Sequence, residues 1–345
     1  MILDIFLFAV GITALTLGAD WLVRGASALA QQLGVSHLVI GLTVVAFGTS
    51  APELVVSGSA SLAGEPDVAV GNVMGSTVAN VGLIVGIGSL LRPIVVHRSL
   101  LVRETPLVIL VLTLVMVFSL NGNLGRVDGA LLLLAFTLYL LFLLRWGGGR
   151  LDEIAREVEA ETIGEAVLEG TTAKGDDAAA DQGVEDAGFA TAVRTRSGPL
   201  WSILQIVVGL PLLLIGARWL IHAALSLAAT FNVPDAVIAA TMIAVGTSLP
   251  ELASTVAAAL RGMGDIAIGN VIGSNVFNLG LVLGTAAVLR PLELSSAVVV
   301  GQVLPALIFS ILLIPLALSK EQVGRWEGGF LLTGYVVYVG SILLF

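Results

Sequence analysis

Gly48-Thr49-Ser50-Ala51-Pro52-Glu53, followed by Gly71-Asn72-Val73-Met74-Gly75-Ser76, returns at a constant offset of 198 residues as Gly246-Thr247-Ser248-Leu249-Pro250-Glu251 and Gly269-Asn270-Val271-Ile272-Gly273-Ser274. No gap is needed to see the match. Thr43, Ala46, Asn80 and Gly82-Leu83 align with Thr241, Ala244, Asn278 and Gly280-Leu281, and the register reaches outward to Trp21-Leu22 against Trp219-Leu220 and Arg92-Pro93 against Arg290-Pro291. Two halves are therefore built on one plan.

The chain around these blocks is 345 residues long, 57% hydrophobic and only 12% charged, with a mean hydropathy of +1.02. That leaves too little polar surface to cover a soluble globule, so the chain belongs in lipid. Crossing about 30 Å of hydrocarbon takes about 20 apolar residues as a helix, and helices satisfy every backbone group within the segment. Five apolar spans precede residue 146: Leu3–Arg24, Leu38–Leu62, Val68–Leu91, Leu101–Leu120 and Val127–Leu144. Five follow: Leu200–Leu227, Ala236–Leu260, Ile266–Leu289, Ala297–Leu318 and Gly324–Phe345. The expected fold is an all-α polytopic membrane protein of ten transmembrane helices. Residues 1–145 form one five-helix repeat, 146–199 a central loop and 200–345 the second repeat.

An odd number of spans per repeat inverts the second half relative to the first, a symmetry common among transporters. With outward termini, Arg24, Arg92, Arg98, Arg103, Arg145, Arg150, Arg261, Lys320 and Arg325 fall in cytoplasmic connections, and Arg126 and Arg290 fall outside. The positive-inside bias thus predicts a cell-membrane protein with both termini outside and the central loop in the cytoplasm. The opening Met1-Ile-Leu-Asp-Ile-Phe-Leu lacks the basic start and cleavage site of a signal peptide and reads as the first span. The net charge of −9 comes mostly from the central segment, where twelve acids meet five bases between Arg150 and Gly198. Such a composition buries no core and reads as a partly disordered, solvated loop.

Glu53 and Glu251 lie in the middle of apolar spans, where an ionised side chain costs at least about 3 kcal/mol. Thr49, Ser50 and Ser57 share the helical face of Glu53, as Thr247, Ser248 and Thr255 share that of Glu251. Pro52 and Pro250 lack the amide hydrogen owed to Gly48 and Gly246, so each helix should kink there and leave nearby carbonyls, those of Ala46 and Ala244 included, available to a cation. Glycines at four- and seven-residue spacings on the third and eighth spans permit close helix approach. Asn72, Ser76 and Asn80, with Asn270, Ser274 and Asn278, form a polar stripe on the same helices. Singly, such polar residues often only bond a neighbouring helix. Two acids recurring symmetrically beside prolines and hydroxyls instead point to an all-oxygen cage for hard cations such as calcium or sodium. With no cysteine and three isolated histidines, His37, His97 and His222, no soft-metal site is expected. No resident cofactor and no nucleic-acid partner are called for, and the oligomeric state is not legible.

The doubled motif resembles the alpha repeats of the cation/calcium exchanger superfamily, which includes sodium/calcium exchangers, and the likeness covers all but the acidic loop. The resemblance implies a calcium-for-sodium antiporter in which Glu53 and Glu251 bind the two ions in turn. Thr49, Ser50, Ser76, Thr247, Ser248 and Ser274 would join as sodium ligands with the carbonyls of Ala46 and Ala244. The family carries asparagine or aspartate at the positions of Asn80 and Asn278. Both are asparagine here, which weakens the case for a third, charge-compensating ion such as potassium. The long first and sixth spans would be the sliding elements. An antiporter coupled to protons, using the same glutamates as proton carriers, is the rival expectation; hydroxyl-rich surroundings favour sodium. A passive cation channel would need no inverted pair of kinked helices. An intramembrane hydrolase would need a histidine or lysine base within helical reach of a serine.

Overall fold

The computed structural model describes residues 2–96, 98, 100–118, 122–143, 145, 198–230, 246–294, 298–318 and 320–344. The acidic segment from 146 to 197, His97, and residues 231–245 with Ala244 among them lie outside the described residues. The described residues are mostly helical. In chain order the helices are α1 (Ile2–Leu33), α2 (His37–Thr49), α3 (Ala51–Ala63), α4 (Pro66–Leu91), α5 (Leu100–Phe118) and α6 (Arg126–Leu143). Then come α7 (Pro199–Thr230), α8 (Leu249–Leu260), α9 (Gly264–Leu289), α10 (Val299–Leu318) and α11 (Arg325–Leu344). Among the described residues seven helices are long and apolar enough to cross a membrane, or eight if α2 and α3, bent by 47°, make one broken span. The chain is thus a polytopic helical membrane protein.

The helix breaks fall where the sequence places its prolines. Ser50 leaves helical geometry at φ −83°, ψ 5°, and α3 starts afresh with Pro52 in its first turn. Ser248 repeats this at φ −86°, ψ 1°, before Pro250 and α8. Proline is tolerated in a first turn because its missing amide hydrogen has no partner there anyway. The break therefore puts Glu53 and Glu251 in the first turn of a new helix, beside unpaired amides and the positive end of the helix dipole. Gly64, at φ 84°, ends α3 in the left-handed conformation that glycine adopts without strain.

Burial sorts the helices into a centre and a rim. In α4 and α9, 78% and 94% of the best membrane-length window is buried, against 39% or less in the other candidate spans. The rim helices keep large apolar side chains exposed, Leu110, Leu138, Val207 and Ile311 among them, as lipid-facing surfaces do. The long pair α1 and α7 pack backbone to backbone through glycine. A Cβ on Gly11 would meet the Leu220 amide at 2.7 Å, and one on Gly25 would meet the Ser202 carbonyl at 2.8 Å, so the two helices run antiparallel. The contact is reciprocal at the 198-residue offset, since a Cβ on Gly209 would meet the Leu22 amide at 2.8 Å. Gly269 and Gly273 of α9 bring that helix equally close to Leu38 and Leu42 of α2.

Short strands tie the connections together. β1 (Ile94–Val95) pairs antiparallel with β4 (Gln322–Val323), and β2 (Asn123–Leu124) with β3 (Leu292–Glu293). Arg92 donates to the Leu260 carbonyl at 3.1 Å, and the Arg290 guanidinium lies over Gly64. The helices also depart from regular α geometry. Segments of π-helix run over Gly41–Val45, Asn80–Val85, Leu100–Glu104, Asn278–Val282 and Val299–Val303. Two of these start at Asn80 and Asn278, and π-segments often mark functional positions.

Candidate cation site

Most of the residues singled out by the repeat meet at the centre of the bundle. Glu53, Glu251, Thr49, Ser50, Ser76, Asn80, Ser248, Ser274, Asn278 and Ala46 are all buried, and Thr247 is half-buried. Three of four hydrogen bonds here cross between the halves, that of Ser76 to Glu53 being the exception. Ser50 Oγ donates to Glu251 Oε1 at 3.2 Å, Ser76 Oγ to Glu53 Oε1 at 3.3 Å, and Ser248 Oγ to Ser76 Oγ at 3.2 Å. Asn278 Nδ2 also donates to Ser76 Oγ, at 3.1 Å. Each carboxylate thus accepts from a serine hydroxyl, and Glu53 lies within electrostatic reach of Glu251.

Asn72 and Asn270, which the sequence reading placed on the polar stripe but not among the ligands, are clamps. Asn72 Nδ2 donates to Ser57 Oγ at 2.9 Å while its Oδ1 accepts from Thr247 at 3.1 Å. Asn270 Nδ2 donates to Thr255 Oγ1 at 2.9 Å and its Oδ1 accepts from Thr49 at 3.2 Å. Each asparagine pins the helix following one break to a threonine just before the other. Ser57 and Thr255, expected to offer oxygens beside the glutamates, are engaged by these amides, and Ser57 also donates to the Ala69 carbonyl at 3.2 Å. Ala46 differs from expectation as well. Its carbonyl accepts from the Ser50 amide at 3.0 Å and from Thr49 Oγ1 at 3.3 Å, because the break falls after Ser50 and the partner withdrawn by Pro52 belongs to Gly48. Asn275, which has no asparagine counterpart in the first half, accepts from Asn80 Nδ2 at 2.8 Å and escaped the sequence reading for that reason.

Several oxygens in this cluster have no hydrogen-bond donor. Glu53 Oε2, Glu251 Oε2, Asn80 Oδ1, Asn278 Oδ1 and Ser274 Oγ are buried and unpartnered. Leaving a buried polar atom unpaired costs about 1–3 kcal/mol, more if it is charged. One hydroxyl and a helix N-terminus per carboxylate return part of the desolvation cost, about 1.5–3 and up to about 2 kcal/mol respectively. A hard cation, which takes six to eight oxygens, is chemically suited to this donor-poor, acceptor-rich set.

Comparison with known proteins agrees with this chemistry. Residues 3–145 and 201–344 match the family described as sodium/calcium exchanger protein. The chain belongs to the sodium/calcium exchanger family. It is a multi-pass membrane cation antiporter, within the cation/calcium exchanger superfamily that the doubled motif resembles. This exchanger-family chain is 34% identical over 344 residues to the sodium/calcium exchanger MaX1 of Methanosarcina acetivorans, covering 97% of each chain. It is 35% identical over 344 residues to the inner membrane protein YrbG of Escherichia coli, covering 99% of this chain and 97% of YrbG. Its structure is similar to that of the sodium-calcium exchanger NCX_Mj, with a TM-score of 0.77 and 29% identity across 99% of both chains. NCX_Mj crystals were soaked with sodium and calcium ions, and others with strontium.

Proposed function

We propose that this chain exchanges calcium for sodium by alternating access, at a central site where Glu53 and Glu251 hold the transported ion between two inverted five-helix repeats. The observation that carries the reading is the cluster itself: two buried carboxylates, each in the first turn of a helix, each accepting from a serine hydroxyl, with unpartnered oxygens in the same cluster. Thr49, Ser50, Ser76, Thr247, Ser248, Ser274, Asn80 and Asn278 supply the neutral part of the cage. Ala46 and Ala244 supply carbonyls, Ala46 by giving up the Thr49 hydroxyl.

Ten crossings with outward termini are supported by the way the connections pair. In that topology the turns at 92–99, 261–263 and 319–324 share the cytoplasmic face, and those at 64–65, 119–125 and 290–297 share the outer face. Arg92 with Leu260 and β1 with β4 join members of the first set, while Gly64 with Arg290 and β2 with β3 join members of the second. The reciprocal packing of α1 on α7 supports inversion and lets that pair slide as one unit.

Two carboxylates close together in low dielectric repel each other unless cations or protons neutralise them. The empty charged site therefore crosses reluctantly, whereas one calcium ion, or sodium ions in its place, brings the site close to neutrality. Coupling follows from that difference. Calcium uptake into proteoliposomes under imposed gradients tests the reading. Internal sodium should drive external calcium inward. Uptake that follows a proton gradient and ignores sodium would establish the proton-coupled alternative, and calcium flux without any counter-ion would mean a channel.

A further inference from the structure

We infer that Asn275 is a positioning residue that fixes the orientation of the Asn80 amide, so that Asn80 presents its oxygen to the cation and the two asparagines of the site are not equivalent. The inference rests on the proposed two-glutamate cation site and adds a residue to it. Asn80 Nδ2 donates to Asn275 Oδ1 at 2.8 Å, across the two halves, with both side chains buried. A carboxamide has one donor end and one acceptor end. Committing the nitrogen to Asn275 leaves Asn80 Oδ1 as the free end, and that oxygen is buried and unpartnered. Turned over, the amide would aim two N–H groups at a cation.

The second half solves the same problem differently. Asn278 occupies the position equivalent to Asn80, and its Nδ2 donates at 3.1 Å to Ser76 Oγ, the hydroxyl that itself donates to Glu53. The orientation of Asn278 is thus tied to a glutamate and changes with whatever that glutamate binds. Asn80 is held by a residue that makes no bond to either carboxylate among the hydrogen bonds described. The position equivalent to Asn275 in the first half is Thr77, whose hydroxyl donates to its own helix at Val73 O, 2.8 Å away. Asn278 turns its Nδ2 to Ser76 and not to Thr77, so among the described hydrogen bonds Asn80 alone is anchored from outside the cage.

That internal precedent supplies the test. Asn275→Thr places at 275 a residue whose hydroxyl can bond the Val271 carbonyl as Thr77 bonds that of Val73, so the helix tolerates it while the carboxamide oxygen that Asn80 reaches is removed. Calcium affinity should fall about fivefold, the size of one neutral hydrogen bond. In an Asn80→Ala background the same substitution should have no further effect, since the group it orients is gone. A residue that merely supports packing would instead lower affinity by the same factor in both backgrounds, and that result overturns the proposal, as does unchanged affinity in the single variant. Glu53→Gln measured alongside separates this proposal from the reading beneath it. Calcium binding that survives Glu53→Gln overturns the two-glutamate site, whereas its loss there, with unchanged affinity in Asn275→Thr, overturns the positioning role alone.

Discussion

Ser76 and Ser274 are equivalents in the two repeats, yet removing their hydroxyls should have opposite consequences for the cation-free protein. Ser76 Oγ donates to Glu53 Oε1 at 3.3 Å and accepts from Ser248 Oγ at 3.2 Å and Asn278 Nδ2 at 3.1 Å. Ser76→Ala removes one hydrogen bond to a carboxylate, about 1.5–3 kcal/mol, and two neutral ones, about 1 kcal/mol each. Partial relaxation of the freed donors brings the net loss to about 3 kcal/mol. Ser274 Oγ is buried with no partner, so Ser274→Ala relieves an unpaired oxygen and should be neutral or stabilise by up to about 1 kcal/mol. Thermal unfolding in detergent without sodium or calcium reads this directly: the Ser76 variant melts several degrees below the parent and the Ser274 variant does not. Saturating calcium then inverts the view of Ser274, since a lost ligand appears as a smaller calcium-induced rise in melting temperature. If Ser274→Ala destabilises the cation-free protein as much as Ser76→Ala, the division into a bonded hub and a reserved ligand is wrong.

Other outcomes follow from the same contacts. Asn72→Ala breaks the bonds to Ser57 and Thr247 at 2.9 and 3.1 Å and should cost about 2 kcal/mol of stability, with a loss of transport larger than that caused by Ser57→Ala; assays of melting and uptake compare them. Gly209→Val drives a side chain into the Leu22 backbone, 2.8 Å from where a Cβ would sit, and should abolish folded protein in size-exclusion profiles. Gly340→Ala, whose Cβ would meet no described atom within 4 Å, should leave that profile unchanged. Asp20 pairs with both Arg24 and Arg261, at side-chain exposures of 25%, 51% and 26%. Arg261→Ala should therefore cost only about 1 kcal/mol, and adding Asp20→Asn should cost little more, as a double-mutant cycle on melting would show.

Helix positions and the proline breaks were legible because hydropathy and the missing proline amide act locally, on residues adjacent in sequence. Span limits came within a few residues of the observed helices except in α1, which runs on to Leu33, past the polar Arg24, while the first part of the expected span Ala236–Leu260 lies outside the described residues. The cluster around Glu53 and Glu251 was legible because the repeat prints the same residue types twice at one offset. What was hidden is pairwise. Whether Ser57 faces a cation or Asn72 depends on how α3 rests on α4, and no spacing within one helix reports that. The π-segments at Asn80 and Asn278 insert residues into helices of ordinary composition, and Asn275 breaks the repeat symmetry instead of following it. The doubled pattern finds what the halves share and passes over what distinguishes them.

Direct binding of calcium to the purified exchanger, measured by titration calorimetry at fixed pH and without sodium, bears most closely on the shared role of the two carboxylates. Glu53→Gln and Glu251→Gln should each remove detectable binding, and the double variant should be no worse than either alone, because each carboxylate is useful only with the other. Calcium binding that persists in the double variant would contradict the account.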